Sequence, residues 1–358
     1  MSLHLLAPGL LDRAGQWARD FGPLPRFAGI EALLSRAARC AIPADGMDAT
    51  LCGLFGLEPA AERDLPLGAL RRLGFGRAPD RAVWLCADPV NLKADVARVY
   101  LRDSGSLAMT LAEAQQLGDL FTAHFADNDW TLEITSPACW HLRLPAVPRI
   151  ITHPQRQVMG RAIEPFLPRG ADAARWRALQ NEAQMLFHAA EVNRVRDTSG
   201  HPLINGLWVS GAGQLPDADD LTAAVGKTWS DDPLARGLSR LAGIDTGPVP
   251  AAFDGVLADA AGGAHLVSLE QALTPARYDD FSAWCAVLTH LDRAWFAPAG
   301  QALKQGRVAQ CHVYDCAGWR YSIDRARQWR LWRRARSLDI LASGAAADHS
   351  AHPDPLPT

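Results

Sequence analysis

Polar residues that could contact a ligand are concentrated in three segments of the chain, 87–92, 152–161 and 193–213. The first and third carry Asp and Asn side chains beside apolar runs, and the second carries His and Arg. Arginine and histidine donate hydrogen bonds to carboxylates and phosphates, and arginine can do so with two parallel bonds. The candidate ligand-binding residues are Asp88, Asn91, His153, Arg156, Arg161, Asn193, Arg196, Asn205, Gly211 and Gly213.

The flanking sequence places these candidates where strands end. The apolar run 81–86 predicts a buried strand that opens into a polar loop at 87–92. The run 203–210 predicts a second strand, preceded by a turn that holds Asn193 and Arg196 and followed by a glycine loop at 211–213. Because open α/β sheets bind ligands at their strand ends, we expect the three segments to converge at one sheet edge.

Each candidate also has a purely structural interpretation. Asp88 and Asn91 could cap a turn, and arginines in a loop such as 152–161 are common on surfaces. Asn193 and Arg196 could instead lock a helix end to the sheet through hydrogen bonds to backbone carbonyls. Glycines in a tight turn are needed whatever the function, and a lone Gly-x-Gly is a weak phosphate signal.

Residues suited to a metal centre are sparse. Metal-dependent phosphoryl transfer needs Asp and His sets that hold two ions beside a Ser or Thr nucleophile. The first predicted strand runs into Ala-Pro-Gly at 7–9, and an Asp-His-Ser run at 348–350 lies in a tail rich in Ala and Pro. Cys311 and His312 are adjacent in a predicted strand and would point to opposite faces. We predict no metal and no other cofactor, with Mn²⁺ or Zn²⁺ as the alternative.

Composition excludes several function classes. The 358 residues are 48% hydrophobic and 21% charged, which is typical of a folded globular chain. A net charge of −3 argues against a nucleic-acid partner, which usually requires a basic surface. No apolar run is long enough to span a bilayer, so we expect no membrane partner and a cytoplasmic location.

The alternation of strands and helices predicts an α/β fold with a mixed sheet flanked by helices. Thr110 and Glu113 form the pattern of a capping box, and Asp232 before Pro233 predicts another helix start. We expect one large unit over residues 1–341 with a smaller inserted α+β region at about 80–200. The tail, 342–358, is predicted to be disordered. Predicted strands also include 130–135, 139–144, 265–269, 307–315 and 319–323, and predicted helices include 28–40, 172–189, 231–241 and a basic helix at 324–337.

Four blocks, taken in chain order, resemble the archaeal-type, cofactor-independent phosphoglycerate mutases of the alkaline phosphatase superfamily. They are Ala-Asp-Pro at 87–89, the helix start at 110–114, Thr-His-Pro-Gln at 152–155, and the segment 193–213 with its Trp-x-x-Gly-x-Gly pattern. The resemblance implies an alkaline-phosphatase-superfamily-like fold. It also implies that residues of the 152–161 loop bind substrate.

A closer resemblance is to the RpfE-type regulatory protein family of proteobacteria, whose members are themselves similar to phosphoglycerate mutases. The matching blocks are 84–92, 181–186, 192–196 and 231–238. The resemblance, taken with the missing Asp and His sets, predicts a mutase-like protein that has lost its catalytic metal centre and acts as a regulatory or ligand-binding protein, with a small anionic ligand or a protein partner. The alternative is an active metal-dependent phosphomutase or phosphohydrolase acting on a small phosphoester such as phosphoglycerate. The sequence leaves open whether the protein is an enzyme, and it names no catalytic residue.

Overall fold

The computed structural model describes residues 1–43, 46–60, 62–259, 262–329 and 334–349. The strands are β1 Ser2–Leu6, β2 Ala38–Ala41, β3 Val83–Asp95, β4 Arg98–Arg102, β5 Thr131–Ser136, β6 Cys139–Leu144, β7 Gly206–Gly213, β8 Lys227–Trp229, β9 Asp245–Gly247, β10 Ala264–Ser268, β11 Gln310–Tyr314 and β12 Trp319–Asp324. The helices are α1 Ala14–Phe21, α2 Ala28–Arg36, α3 Gly46–Leu54, α4 Leu67–Gly74, α5 Leu111–His124, α6 Gln155–Val158, α7 Ala173–His188, α8 Glu191–Thr198, α9 Pro233–Leu241, α10 Phe253–Leu257, α11 Leu273–Arg277, α12 Phe281–Leu291, α13 Ala297–Gln305, α14 Arg325–Gln328 and α15 Leu338–His349.

The chain divides into two compact units. Unit 1 comprises Met1–Thr50, Ala224–Asp231 and the residues from Ile244 onward, and unit 2 comprises Leu51–Ala223 and Asp232–Gly243. The expectation of one unit over 1–341 with an insertion at about 80–200 stays a prediction. Among the described residues, no helix is both long and apolar enough to cross a membrane.

Unit 1 is built on a mixed sheet, which in the described residues has seven strands in the order β2-β12-β11-β1-β10-β8-β9. β1 is parallel to β10 and β11 on either side, whereas β12 is antiparallel to β11. Alternate residues of β1 explain how the sheet packs: Leu3 and Leu5 enter the core with the helices, and His4 lies on the other face. The predicted mixed α/β fold with flanking helices is confirmed.

Unit 2 contains an antiparallel sheet in which β3 is the long central strand. Its first part pairs with β6 and β7, and its last part pairs with β4. β5 pairs with β6 as predicted. One face packs on α5 and α7 through a core that includes Leu85, Leu117 and Phe187. α4 and α9 pack closely together, and a Cβ on Gly237 would lie 1.9 Å from the Leu70 carbonyl oxygen.

Several predicted element boundaries were wrong. Segment 87–92 is not a loop, because β3 continues through it to Asp95 and pairs with neighbouring strands throughout. The predicted turn at 193–196 lies in helix α8. The strand predicted at 203–210 begins at Gly206 and includes the predicted glycine loop 211–213.

The C-terminal predictions are only partly covered by the structure. Of the basic helix predicted at 324–337, the structure forms α14 over Arg325–Gln328, and residues 334–337 are not helical. Residues 330–333 and 350–358 lie outside the described residues. The disordered tail was expected to begin at residue 342, but helix α15 continues to His349.

Candidate functional site

The carboxyl ends of the parallel strands in unit 1 are where sheets of this kind place their ligands. β1 ends at Leu6, and the chain then turns through Gly9. Gly9 has a φ of 79°, and a Cβ there would lie 2.5 Å from the carbonyl oxygen of Ala272. The Trp284 indole donates a hydrogen bond of 2.9 Å to the Gly9 carbonyl. The loop after β1 is therefore packed against the segment that leads into α11 and against α12.

The turn after β11 carries an acidic side chain that stabilises the backbone. Asp315 Oδ1 accepts hydrogen bonds from the backbone N–H groups of Ala317 at 2.8 Å and Trp319 at 2.9 Å. Between them the chain passes through Cys316, which has a φ of 58°, in the left-handed region that non-glycine residues seldom adopt. The Asp315 carboxylate holds this strained turn.

Three carboxylates at this edge of the sheet raise the pKa of one thiol, that of Cys316. Burial raises the pKa of Cys316 well above its ordinary value, and the negative charges of Asp315, Asp12 and Glu270 raise it further. These acids follow β11, β1 and β10 respectively. Sequence reasoning missed the cluster because the three acids lie in separate segments that only the fold brings together. A search of the first six residues after each strand could have found all three.

Two of the carboxylates at this edge already have partners. Asp12 pairs with Arg277 at 3.6 Å, and Asp315 accepts from backbone N–H groups. The sheet histidines His4, His265 and His312 lie within strands rather than at their carboxyl ends. In the part of the chain that the structure describes, no three His, Cys, Asp or Glu side chains are grouped as a metal site requires.

The three candidate segments of unit 2 do lie together. Asp88 is opposite Trp208 in the β3–β7 pair, and the Trp208 indole donates 2.8 Å to the His153 carbonyl. The Gly211 N–H donates 3.0 Å to Thr152 Oγ1. All three segments therefore meet on the sheet face that carries Trp208.

Asp88 belongs to a buried ion pair. Its carboxylate accepts two bonds from Arg71 of α4, at 2.7 and 3.1 Å, and its side chain is 1% exposed. Arg71 also donates to Cys139 Sγ at 2.9 Å. Burial lowers the pKa of the neighbouring His141 well below its ordinary value, and the Arg71 charge lowers it further. Arg71, which sequence reasoning missed, makes Asp88 part of the connection between α4 and the sheet.

The candidate asparagines are hydrogen-bonded to backbone. Asn193 donates to the carbonyls of Phe187 and Ile204 and accepts from the Ile204 N–H, all at 2.7–2.8 Å. Asn205 accepts from the Leu92 N–H at 2.7 Å and donates to its carbonyl at 3.0 Å. Asn91 donates 2.9 Å to a carbonyl of the segment before β7, that of Leu203.

Arg196 is likewise hydrogen-bonded to other parts of the fold. Its side chain is 3% exposed. The guanidinium donates 2.8 Å to the Pro202 carbonyl, 2.9 Å to Glu113 Oε1, and also to the Leu107 carbonyl. Arg196 thus joins α8 to the beginning of α5. These contacts match the structural interpretation of Arg196, whereas ligand binding by it stays a prediction.

The two candidate glycines permit close packing. β7 carries an irregularity opposite Trp84 and Cys86, and Gly211 in it has a φ of 63°. A Cβ on Gly211 would lie 2.5 Å from Leu67 Cβ, and one on Gly213 would lie 2.7 Å from Pro66 Cβ. Both glycines let α4 approach the sheet.

The segment 152–161 differs because its basic side chains reach solvent. The Arg161 guanidinium lies 4.4 Å from the ring centre of Phe166, and the His153 ring meets the same ring edge-on at 5.2 Å. Arg156 is 22% exposed and pairs with Asp232, the N-cap of α9. Burial alone would raise the pKa of Asp232, but the Arg156 charge and backbone N–H donors hold it below its ordinary value. All three basic side chains of this segment are therefore at least partly exposed.

Comparison with known proteins supports the fold. A structure of the PH0037 protein from Pyrococcus horikoshii is similar, with a TM-score of 0.52 and 14% identity over 90% of this chain and 87% of that one. A cofactor-independent phosphoglycerate mutase from Thermoplasma acidophilum aligns with a TM-score of 0.42 and 19% identity over 90% of this chain and 88% of that one. No protein-family profile matches, and no curated protein matches. At such identities, the first likeness shows a shared fold.

Proposed function

We propose that this protein binds a small anion, such as a phosphoester or a carboxylate, on a phosphoglycerate mutase-like frame, as a regulatory or ligand-binding protein without a catalytic metal pair. The observation that carries the proposal is the packed loop after β1. Gly9 packs against Ala272, and its carbonyl accepts a hydrogen bond from the Trp284 indole. A metal-dependent enzyme would present a carboxylate at this position. The motif blocks in segments 87–92, 110–114, 152–155 and 193–213 support the mutase-like assignment.

The anion site in this proposal is the basic surface formed by His153, Arg156 and Arg161. The Phe166 ring contacts two of these side chains, Arg161 and His153. Guanidinium groups bind carboxylates and phosphates through charge-assisted hydrogen bonds, which suits these arginines to a small anion. Membership of the RpfE-type family, a cytoplasmic location and a protein partner are further parts of the proposal, and they rest on the sequence.

A second candidate function is an active metal-dependent phosphomutase or phosphohydrolase. The observation that favours it is the group of carboxylates, Asp12, Glu270 and Asp315, around Cys316. Carboxylate oxygens are suitable ligands for hard divalent ions. The packed Gly9 loop and the existing partners of Asp12 and Asp315 favour the binding protein instead.

One set of measurements distinguishes the two candidate functions. Phosphoglycerate is titrated into the metal-free protein by calorimetry, with neutral glycerol as the control ligand. We expect a dissociation constant of about 1 mM or tighter that weakens as salt is added, because the attraction is electrostatic. No binding at low salt would contradict the proposal.

Turnover is then measured with phosphoglycerate in Mn²⁺ or Zn²⁺. We expect none above that of buffer with metal. Turnover that disappears in Asp12→Asn and Asp315→Asn would establish the second candidate and overturn the first.

A further inference from the structure

A cavity of about 390 Å³ lies in unit 1 beyond the carboxyl ends of β1 and β11. Its walls come from α1 and the residues just before it, from the β11–β12 turn, and from α15. The volume is within the range of sites that hold small molecules. The cavity belongs to no segment that the sequence singled out as ligand-binding.

The α1 wall presents hydrogen-bond donors. Gln16 Oε1 accepts from Arg13 at 2.8 Å, so the amide nitrogen of Gln16 is the group left to bind a ligand. Arg19 lies one turn further along the same helix face and forms no ion pair with any described residue. Its Nη1 is 3.8 Å from the point where a Cβ on Gly15 would stand. The small residue Gly15 leaves room beside an exposed guanidinium.

The cavity is also lined by acidic and apolar side chains. Asp12 and Asp315 both line it, and their charges act on the buried Cys316 thiol. Leu11 and Trp319 contribute side chains that are 5% and 6% exposed. A ligand here would meet hydrogen-bond donors, carboxylates and apolar groups.

We propose that this cavity binds a zwitterionic amino carboxylate with an apolar side chain. Its carboxylate would bind Arg19 and Gln16, because a guanidinium and an amide donate to both oxygens. Its ammonium would bind Asp12 and Asp315, because a carboxylate oxygen can accept more than one hydrogen bond. Its side chain would lie against Leu11 and Trp319. This inference is independent of the anion site in unit 2.

Three related probes test the charge pattern by calorimetry on the full chain. Phenylalanine carries both charged groups, phenethylamine lacks the carboxylate, and phenylpropionate lacks the ammonium. We expect phenylalanine to bind at least about tenfold more tightly than either truncated probe, which is the scale of one charge-assisted bond. Equal affinities for the three probes, or no phenylalanine binding at about 10 mM, would overturn the proposal.

Two variants assign the binding to this cavity. Arg19→Gln should weaken phenylalanine binding about tenfold and leave phenethylamine binding unchanged, because only the carboxylate contact is lost. Gly15→Leu fills the space between Arg19 and Ser343 and should abolish binding of all three probes. It replaces a helical glycine with a better helix former, so the fold is expected to persist. Arg307→Gln, at an exposed arginine outside the cavity, is the matched control. Unchanged phenylalanine affinity in both cavity variants would place the ligand elsewhere and reject the proposal.

Discussion

Two regions of the molecule bury polar side chains in different ways, the ion pairs of unit 2 and the β1–β11 face of unit 1. In unit 2, Asp88 is paired with Arg71, and Asp232 with Arg156, so charges are buried together. In unit 1, the β1–β11 face instead contains neutral groups. His4 Nδ1 lies 3.0 Å from the Tyr314 hydroxyl, and burial lowers the pKa of His4 to about 4. Burial likewise raises the pKa of Tyr314 to about 12.

This difference shows how each unit can be disrupted. A buried ion pair is sensitive to loss of one partner, because the remaining charge stays desolvated. A buried neutral histidine is sensitive to pH, because protonation places a charge in the same surroundings. Substitution should therefore affect the ion pairs of unit 2 most, whereas acid should affect the buried histidines, His4 in unit 1 and His141 in unit 2.

The largest expected effect is in unit 2. Asp88→Ala leaves the Arg71 guanidinium buried without its carboxylate, and it should lower the free energy of unfolding by about 3–5 kcal/mol. Chemical denaturation measures this change. The double variant Arg71→Met with Asp88→Leu removes both charges and should recover most of the loss. A single variant that costs less than about 1 kcal/mol would show that the pair does not stabilise this unit.

The next effect is a pH dependence in unit 1. Because the pKa of His4 falls from 6.5 to about 4 on folding, the unfolded chain binds the proton more readily. The stabilisation is complete above about pH 6.5 and is lost as pH falls towards 4, by up to about 3 kcal/mol. The charges of His312 and Arg320 also oppose protonation.

Denaturation of wild type and His4→Gln between pH 7 and 4 checks this expectation. The glutamine variant should lose less stability on acidification, since it has no proton to bind. Parallel losses in the two proteins would exclude His4 as the source.

Local signals in the sequence were sufficient to predict where some helices begin. Thr110 and Glu113 form the predicted capping box, with Thr110 Oγ1 accepting from the Glu113 N–H at 3.2 Å. Asp232 caps α9 as predicted, by accepting from the N–H groups of Leu234 and Ala235. Such contacts span two or three residues, so a short stretch of sequence contains all the information they need.

Features that depend on distant residues were not predicted. β3 passes through Pro89 to Asp95 because β6, β7 and β4 pair with successive parts of it, and these partners come later in the chain. Polar residues suggested a turn at 193–196, yet α8 buries Asn193 and Arg196 against backbone groups that only the fold brings near. The carboxylates around Cys316 likewise come from three separate segments.

The central claim assigns anion binding to the exposed basic residues of unit 2 and a structural role to the buried arginine. Calorimetric titration of phosphoglycerate, with denaturation of the same samples, tests it on Arg161→Gln and Arg196→Ala. Arg175→Gln, at another arginine over an aromatic ring of this unit, is the control.

We predict that Arg161→Gln weakens binding about tenfold and changes stability by less than about 1 kcal/mol. Arg196→Ala should lower stability by about 2–3 kcal/mol, because it removes bonds to Leu107, Pro202 and Glu113, and should leave affinity unchanged. The opposite result, with affinity lost in Arg196→Ala and kept in Arg161→Gln, would contradict the account.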